Sequence, residues 1–255
     1  MKLFSQERGQ GFPVLILHGL FGLSDNWMSV ANQLAERHRV VLADLRNHGR
    51  SPHEEDMDLD VMAADVLELM DDLFLEKPVL LGHSLGGKVA MNLALKFPQR
   101  VHALIVVDIG PGAYSPRHLE IIKALEAVPL DRISRRQEAD NVLSSYGLPE
   151  PIRQFLLKSL ARDSSGKFQW RFNLQSIKSN LPRLSEAAPE HLTYQGPTLF
   201  VKGERSDYLT DADGALIASL FPRASLAVIP GAGHWVHADN PGAFLQVVSR
   251  FLLSV

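Results

Sequence analysis

The chain has no cysteine among its 255 residues. That excludes disulfides and thiolate-ligated metal sites and fits a cytoplasmic protein. It also lacks any run of about 18 apolar residues, so no membrane-spanning helix is expected. The opening stretch "MKLFSQERGQGF" carries Lys2 but no apolar core of signal-peptide length. Long basic runs are missing and the net charge is −3, which disfavours nucleic acid or an anionic membrane surface as a partner. Histidines are scattered without H-E-x-x-H spacing, so no metal is expected. No G-x-x-x-x-G-K-[ST] occurs, Gly82, Gly86 and Gly87 form no phosphate loop, and Ser84 breaks the dinucleotide pattern. No cofactor is expected. Repeats and low-complexity tracts are absent as well.

What is present is a globular composition, 45% hydrophobic and 22% charged, long enough for one large core. Short apolar runs recur at 14–17, 39–43, 78–81, 103–108, 197–203 and 224–231. They are rich in β-branched residues and leucine with little alternation, as in strands covered on both faces of a parallel sheet. Helical spacing fills the gaps: Leu59, Met62, Ala63, Val66, Leu69, Met70 and Leu73 lie on one face. Val89, Ala90, Leu93, Ala94 and Phe97 repeat the pattern, and Phe244, Leu245, Val248, Phe251 and Leu252 close it. Alternating strand and helix implies right-handed crossovers in an α/β fold. Residues 1–13 hold at most a short first strand.

The rhythm breaks between 112 and 192, where several helical stretches follow one another. This segment is read as a helical lid inserted into a core of 1–111 and 193–255. It would lie over one sheet edge and cover an apolar substrate pocket.

Residues 82–86 read Gly-His-Ser-Leu-Gly, between an apolar strand and an amphipathic helix. That is the setting of a nucleophile elbow. A strand that turns at once into a helix strains the backbone at the serine, and side chains on its neighbours would collide. Ser84 then projects from the carboxyl edge of the sheet, and the Leu85 amide at the helix start can face a developing oxyanion. A helix-capping serine is the plainer alternative.

A serine hydroxyl needs an adjacent base, and histidine, with an unperturbed pKa of about 6.5, suits that task. His234 follows the last strand in a glycine-rich loop and precedes the last helix. His237 reads as structural or surface, His18 as loop-fixing, and His83 should point away from the elbow. A carboxylate must orient the imidazole. Asp108 and Asp207 both end strands between the serine and the histidine, and spacing alone does not separate them.

The segments "LHG" (17–19), "DLRNHGRS" (44–51), "GHSLGG" (82–87), "VVDIGP" (106–111) and "GAGHWVHAD" (231–239) resemble the α/β-hydrolase superfamily in order and over nearly the whole chain. "HGLFG" (18–22), "RNHGRS" (46–51), "QFLLKSL" (154–160) and "WRFNL" (170–174) are similar to the YbfF-type esterases. The resemblance implies a mostly parallel sheet flanked by helices, with a small helical lid. It implies a carboxylesterase acting on a small ester and water through an acyl-enzyme. It favours Asp108 as the triad acid, with Asp207 as the alternative, and makes the Leu20 amide the second oxyanion donor. Phe21, Trp170 and Trp235 are candidate pocket residues, with Tyr114 and Phe172 as further candidates; core packing is the alternative reading of Trp170, Trp235, Tyr114 and Phe172. Arg46, Asn47 and His48 are read as bracing their loop. Related chemistries on the same triad are acyl-CoA thioester cleavage and cofactor-free perhydrolysis or haloperoxidation. Aspartate-nucleophile hydrolases are disfavoured by Ser84, and an intact triad disfavours a non-enzymatic receptor.

Overall fold

The structure, a computed structural model, describes residues 1–115 and 117–255. Pro116, inside the expected lid, lies outside the described residues. Seven strands form the central sheet: β1 (Ser5–Arg8), β2 (Phe12–Leu17), β3 (His38–Ala43), β4 (Val79–His83), β5 (Ala103–Val107), β8 (Thr198–Gly203) and β9 (Ala224–Ile229). Their spatial order is β1-β3-β2-β4-β5-β8-β9. All neighbours are parallel except β1, which runs antiparallel to β3 at one edge.

The strand sequences explain the layers. Successive side chains point to opposite faces, so Leu15 and Leu17 join one core while Val14 and Ile16 join another. The first face is covered by α2 (Leu59–Asp72) and α3 (Leu85–Lys96), the second by α1 (Met28–Leu34) and α10 (Pro241–Leu252). Asp58 caps α2 by accepting the Val61 amide at 2.8 Å, and Asn240 caps α10 through the Ala243 amide at 3.2 Å. The short helices α8 (Gly214–Leu220) and α9 (Val236–Asp239) complete the core.

Two sequence expectations change. The run at 224–231 reads as covered on both faces, but β9 is the outermost strand and exposes Leu226 and Val228; at a sheet edge there is no neighbour to bury them. The insertion, read as several helices with no strand between them up to about 163 and as more mixed beyond, contains α4 (Leu119–Glu126), α5 (Arg136–Ser145), α6 (Glu150–Leu157) and α7 (Leu174–Leu184) together with an antiparallel ribbon. That ribbon pairs β6 (Leu160–Arg162) with β7 (Phe168–Trp170). Each strand has three residues, too few for an alternation to be visible in sequence.

The insertion leaves the sheet after β5 and returns before β8, and it is fastened over the carboxyl edge. Ser159 Oγ donates to the Phe21 carbonyl at 3.0 Å. Asn47 Nδ2 donates to Ser176 Oγ at 2.9 Å, and the Asn173 amide donates to the Asn47 carbonyl at 2.9 Å.

Candidate active site

At the end of β4 the chain reverses into α3 through Ser84, whose φ is 51° and ψ −115°. A serine held there is strained by roughly 1–3 kcal/mol, so the surroundings must enforce it. They do. A Cβ on Gly82 would sit 2.2 Å from the Gly86 carbonyl oxygen, and one on Gly86 2.3 Å from the Leu17 oxygen. The Ser84 amide donates to the Val107 carbonyl at 3.0 Å, which ties the turn to β5.

Asp108 follows β5 with φ 52° and is fully buried. Its amide donates to Val201 at 2.8 Å. Oδ1 accepts the Gly203 amide at 2.9 Å, and Oδ2 accepts the Ser206 hydroxyl and His234 Nδ1 at 2.8 Å. Donation from Nδ1 leaves His234 Nε2 as the free ring nitrogen. Asp207 lies elsewhere: its side chain is 79% exposed and pairs with Arg117 at 2.8 Å.

His234 and Ser84 line one cavity of ≈160 Å³, comparable to an apolar cavity of ~150 Å³ that accepts a benzene ring. Among the described residues no hydrogen bond joins the serine hydroxyl to the imidazole. Such bonds are often long until substrate binds. Leu20, Phe21 and Trp235 line the cavity too, as do Ile121 of α4 and Ile152 and Phe155 of α6. Leu85 is the first residue of α3, so its amide has no acceptor within the helix. The Leu20 amide has no backbone partner among the described residues.

Trp170 is placed differently from its expected pocket position. It is buried inside the insertion, stacked on Phe172 at 5.4 Å and 7°, and does not line the cavity. Phe172 in turn meets Phe21 edge-on at 5.1 Å, so both aromatics back the wall. Tyr114 is likewise outside the lining and sits beside Lys88.

The histidines divide by environment. His83, expected to point away, shares the cavity wall and donates from Nε2 to the His234 carbonyl at 2.9 Å; burial pushes its pKa well down. His18 fixes the loop as expected, donating to the Gly19 carbonyl at 2.8 Å and accepting the Leu45 amide at 3.0 Å. His48 accepts the Phe21 amide at 3.1 Å, and burial lowers it to about 3. Arg46 pairs with buried Asp65, Nη2 to Oδ1 at 2.9 Å. His237 is structural rather than surface, stacked on Trp27 at 3.9 Å.

Tyr208 is not marked by any feature of the sequence. Its ring stacks on His234 at 3.8 Å and 21°, and the Arg117 guanidinium stands 4.7 Å from the ring centre. His118, also unforeseen, lines the cavity and is lowered to about 4 by burial. Neither sits in a motif, so no local pattern marks them. Among the described residues no group of three His, Asp or Glu is placed to hold a metal ion, and no helix is long and apolar enough to cross a membrane.

Comparison with known proteins identifies the family of the fold. A family described as the alpha/beta hydrolase fold matches residues 13–241. The chain is 39% identical to the sn-1-specific diacylglycerol lipase ABHD11 of Danio rerio, over 96% of this chain and 80% of that protein. It is 35% identical to Esterase YbfF of Escherichia coli, over 97% and 96%. The solved structure of a marine microorganism esterase superposes with a TM-score of 0.95 at 42% identity, covering 98% of this chain and 99% of that one.

Proposed function

The chain belongs to the alpha/beta hydrolase fold family and is of its esterase and lipase type; on that premise we propose that it is a serine carboxylesterase of small esters, with Ser84, His234 and Asp108 as its triad. The observation that carries the reading is the 2.8 Å bond from His234 to a buried Asp108, at a cavity shared with a serine on a strained elbow.

The chemistry follows from the placement. His234 Nε2 takes the Ser84 proton as Oγ attacks the ester carbonyl. The negative charge moves to the carbonyl oxygen, where the Leu85 and Leu20 amides receive it. Losing one such donor costs on the order of a hundredfold or more in rate. The tetrahedral species collapses, His234 returns the proton to the departing alcohol, and an acyl-serine remains. Water, deprotonated by the same imidazole, then attacks the acyl carbonyl; the bond to Ser84 Oγ breaks, the imidazolium returns the proton to Oγ, and the acid leaves. Asp108 orients the imidazole and stabilises the imidazolium that forms. The insertion acts as a lid whose Ile121, Ile152 and Phe155 supply an apolar roof.

Hydrolysis of p-nitrophenyl butyrate by wild type and Ser84→Ala tests this. Loss of a triad nucleophile costs about a millionfold in kcat. A variant that keeps a tenth of the activity overturns the assignment.

A further inference from the structure

Lys88 lies one turn into α3, four residues after the nucleophile position, and is almost wholly buried. Its ammonium donates to three backbone carbonyls: Pro111 at 3.2 Å, Gly112, and Glu186 at 2.9 Å. Pro111 and Gly112 are where the chain leaves the sheet after β5. Glu186 lies two residues beyond the end of α7, where it comes back. One cation therefore joins the helix behind Ser84 to both crossings of the insertion. The Tyr114 ring stands 5.3 Å from Nζ, and Asp213, ahead of α8, is the acidic group that faces it.

The chemistry suits a tie. An ammonium has three donors and no acceptor, which matches three carbonyls that converge from two separate stretches of chain. Burying a lysine without a carboxylate bonded to it is costly, so the site must return that cost through the three bonds. A leucine or methionine would pack the same volume without it. The Lys88 amide donates to the Ser84 carbonyl as an ordinary helix bond, but the side chain is not part of the cavity lining and its ammonium bonds the crossings instead.

We infer that Lys88 is a positioning residue: it locks both crossings of the insertion to the nucleophile helix and so holds the apolar roof over the cavity. The roof residues Ile121, Ile152 and Phe155 all lie between the two crossings. Freeing the crossings lets the roof lift, which weakens binding of acyl chains long enough to reach it. Attack at the carbonyl, carried out on the sheet side, is little affected. This rests on the esterase reading only for its kinetic consequence.

The test is Lys88→Met, with p-nitrophenyl acetate and p-nitrophenyl octanoate as substrates. KM for the octanoate should rise by at least ~10-fold, while kcat and KM for the acetate stay within ~3-fold, the signature of lost ground-state binding. Hydrogen exchange at 110–115 and 185–190 should accelerate by at least ~10-fold with the sheet unchanged, as local opening demands. Unchanged exchange at both crossings overturns the inference, as does an equal loss on both esters. Exchange needs no turnover, so it reports even if Ser84 proves not to be the nucleophile. Should Lys88→Met fail to fold, wild type answers. Reductive methylation of Lys88 and exchange at the two crossings should rise in parallel over sub-denaturing urea, whereas exposed Lys167 reacts fast throughout. Methylation of Lys88 at the Lys167 rate sinks the idea.

Discussion

His234 and Asp108 stand 126 residues apart in the chain and meet at 2.8 Å, Nδ1 to Oδ2. The carboxylate is held from two other sides, by the Gly203 amide and the Ser206 hydroxyl, so it has one direction left in which to fix the ring. A carboxamide in its place would present its NH₂ or its oxygen to Nδ1 and lose the preference for the tautomer with a free Nε2. Asp108→Asn should lower kcat on p-nitrophenyl butyrate by about 10⁴-fold. Asp207→Asn, which alters an exposed pair with Arg117, should leave kcat within about 3-fold. Equal mild effects would refute Asp108 as the orienting acid.

Tyr208 lies flat on the imidazole at 3.8 Å, opposite in role to the carboxylate: it limits where the ring can tilt rather than which nitrogen carries the proton. Aromatic pairs of this kind contribute ~0.5–1.5 kcal/mol beyond burial. Tyr208→Ala should therefore reduce kcat by up to about tenfold, with KM for a short ester little changed. Tyr208→Phe keeps the face and should retain activity within about twofold. A phenylalanine variant as impaired as the alanine one would shift the role from the ring to the hydroxyl.

Trp170 separates packing from binding. It is buried and stacked on Phe172, and its Nε1 has no hydrogen-bond partner among the described residues. Trp170→Phe removes an unsatisfied donor and keeps most of the stack, so its stability should stay within about 1.5 kcal/mol of wild type. Trp170→Ala should cost about 3–5 kcal/mol in urea unfolding, with KM unchanged within about twofold at temperatures where it stays folded. Phe155→Ala opens the cavity wall and should do the reverse, moving KM more than stability. A large KM change in Trp170→Phe would place that ring against substrate after all.

These contrasts show what local sequence can carry. The strands are legible because burial on both faces leaves an unbroken apolar run, as at Leu80 and Leu81 or Leu104 to Val107. Ser84 is legible because a strand that becomes a helix without a loop demands small neighbours at Gly82 and Gly86. His234 is legible from its place after the last strand. Asp108 and Asp207 are not separable by spacing, since both end strands between the serine and the histidine; only the fold decides which one turns inward. Tyr208 and His118 reach the cavity from loops in which nothing periodic constrains them. Trp170 misleads because an aromatic in a lid reads alike whether it faces the substrate or its own Phe172. The exposure of Leu226 depends on β9 having no outer neighbour, a property of strand order that no single strand encodes.

Acid should unfold the protein through its buried histidines. Burial lowers His48 and His237 each to about 3, with the neighbouring His18 and His234 charges adding to it respectively. The unfolded values lie near 6.5. Between pH 6.5 and 3 the unfolded chain binds protons that the native one refuses, so the stability present above pH 6.5 is lost as the pH falls through that window. Each group contributes a slope of up to ~1.4 kcal/mol per pH unit, or about 2 kcal/mol between about pH 7 and 5. His48 cannot be replaced cleanly, because its Nε2 accepts the Phe21 amide beside the cavity. His237 can, because its main contact is the flat stack on Trp27, which a phenyl ring reproduces. Unfolding free energies of wild type and His237→Phe from urea titrations at about pH 7, 6 and 5 should differ in slope, the variant losing less stability as the pH drops by about one proton's worth. Parallel lines would mean that His237 titrates alike in the folded and unfolded chain, and that its ring reaches water in the native state.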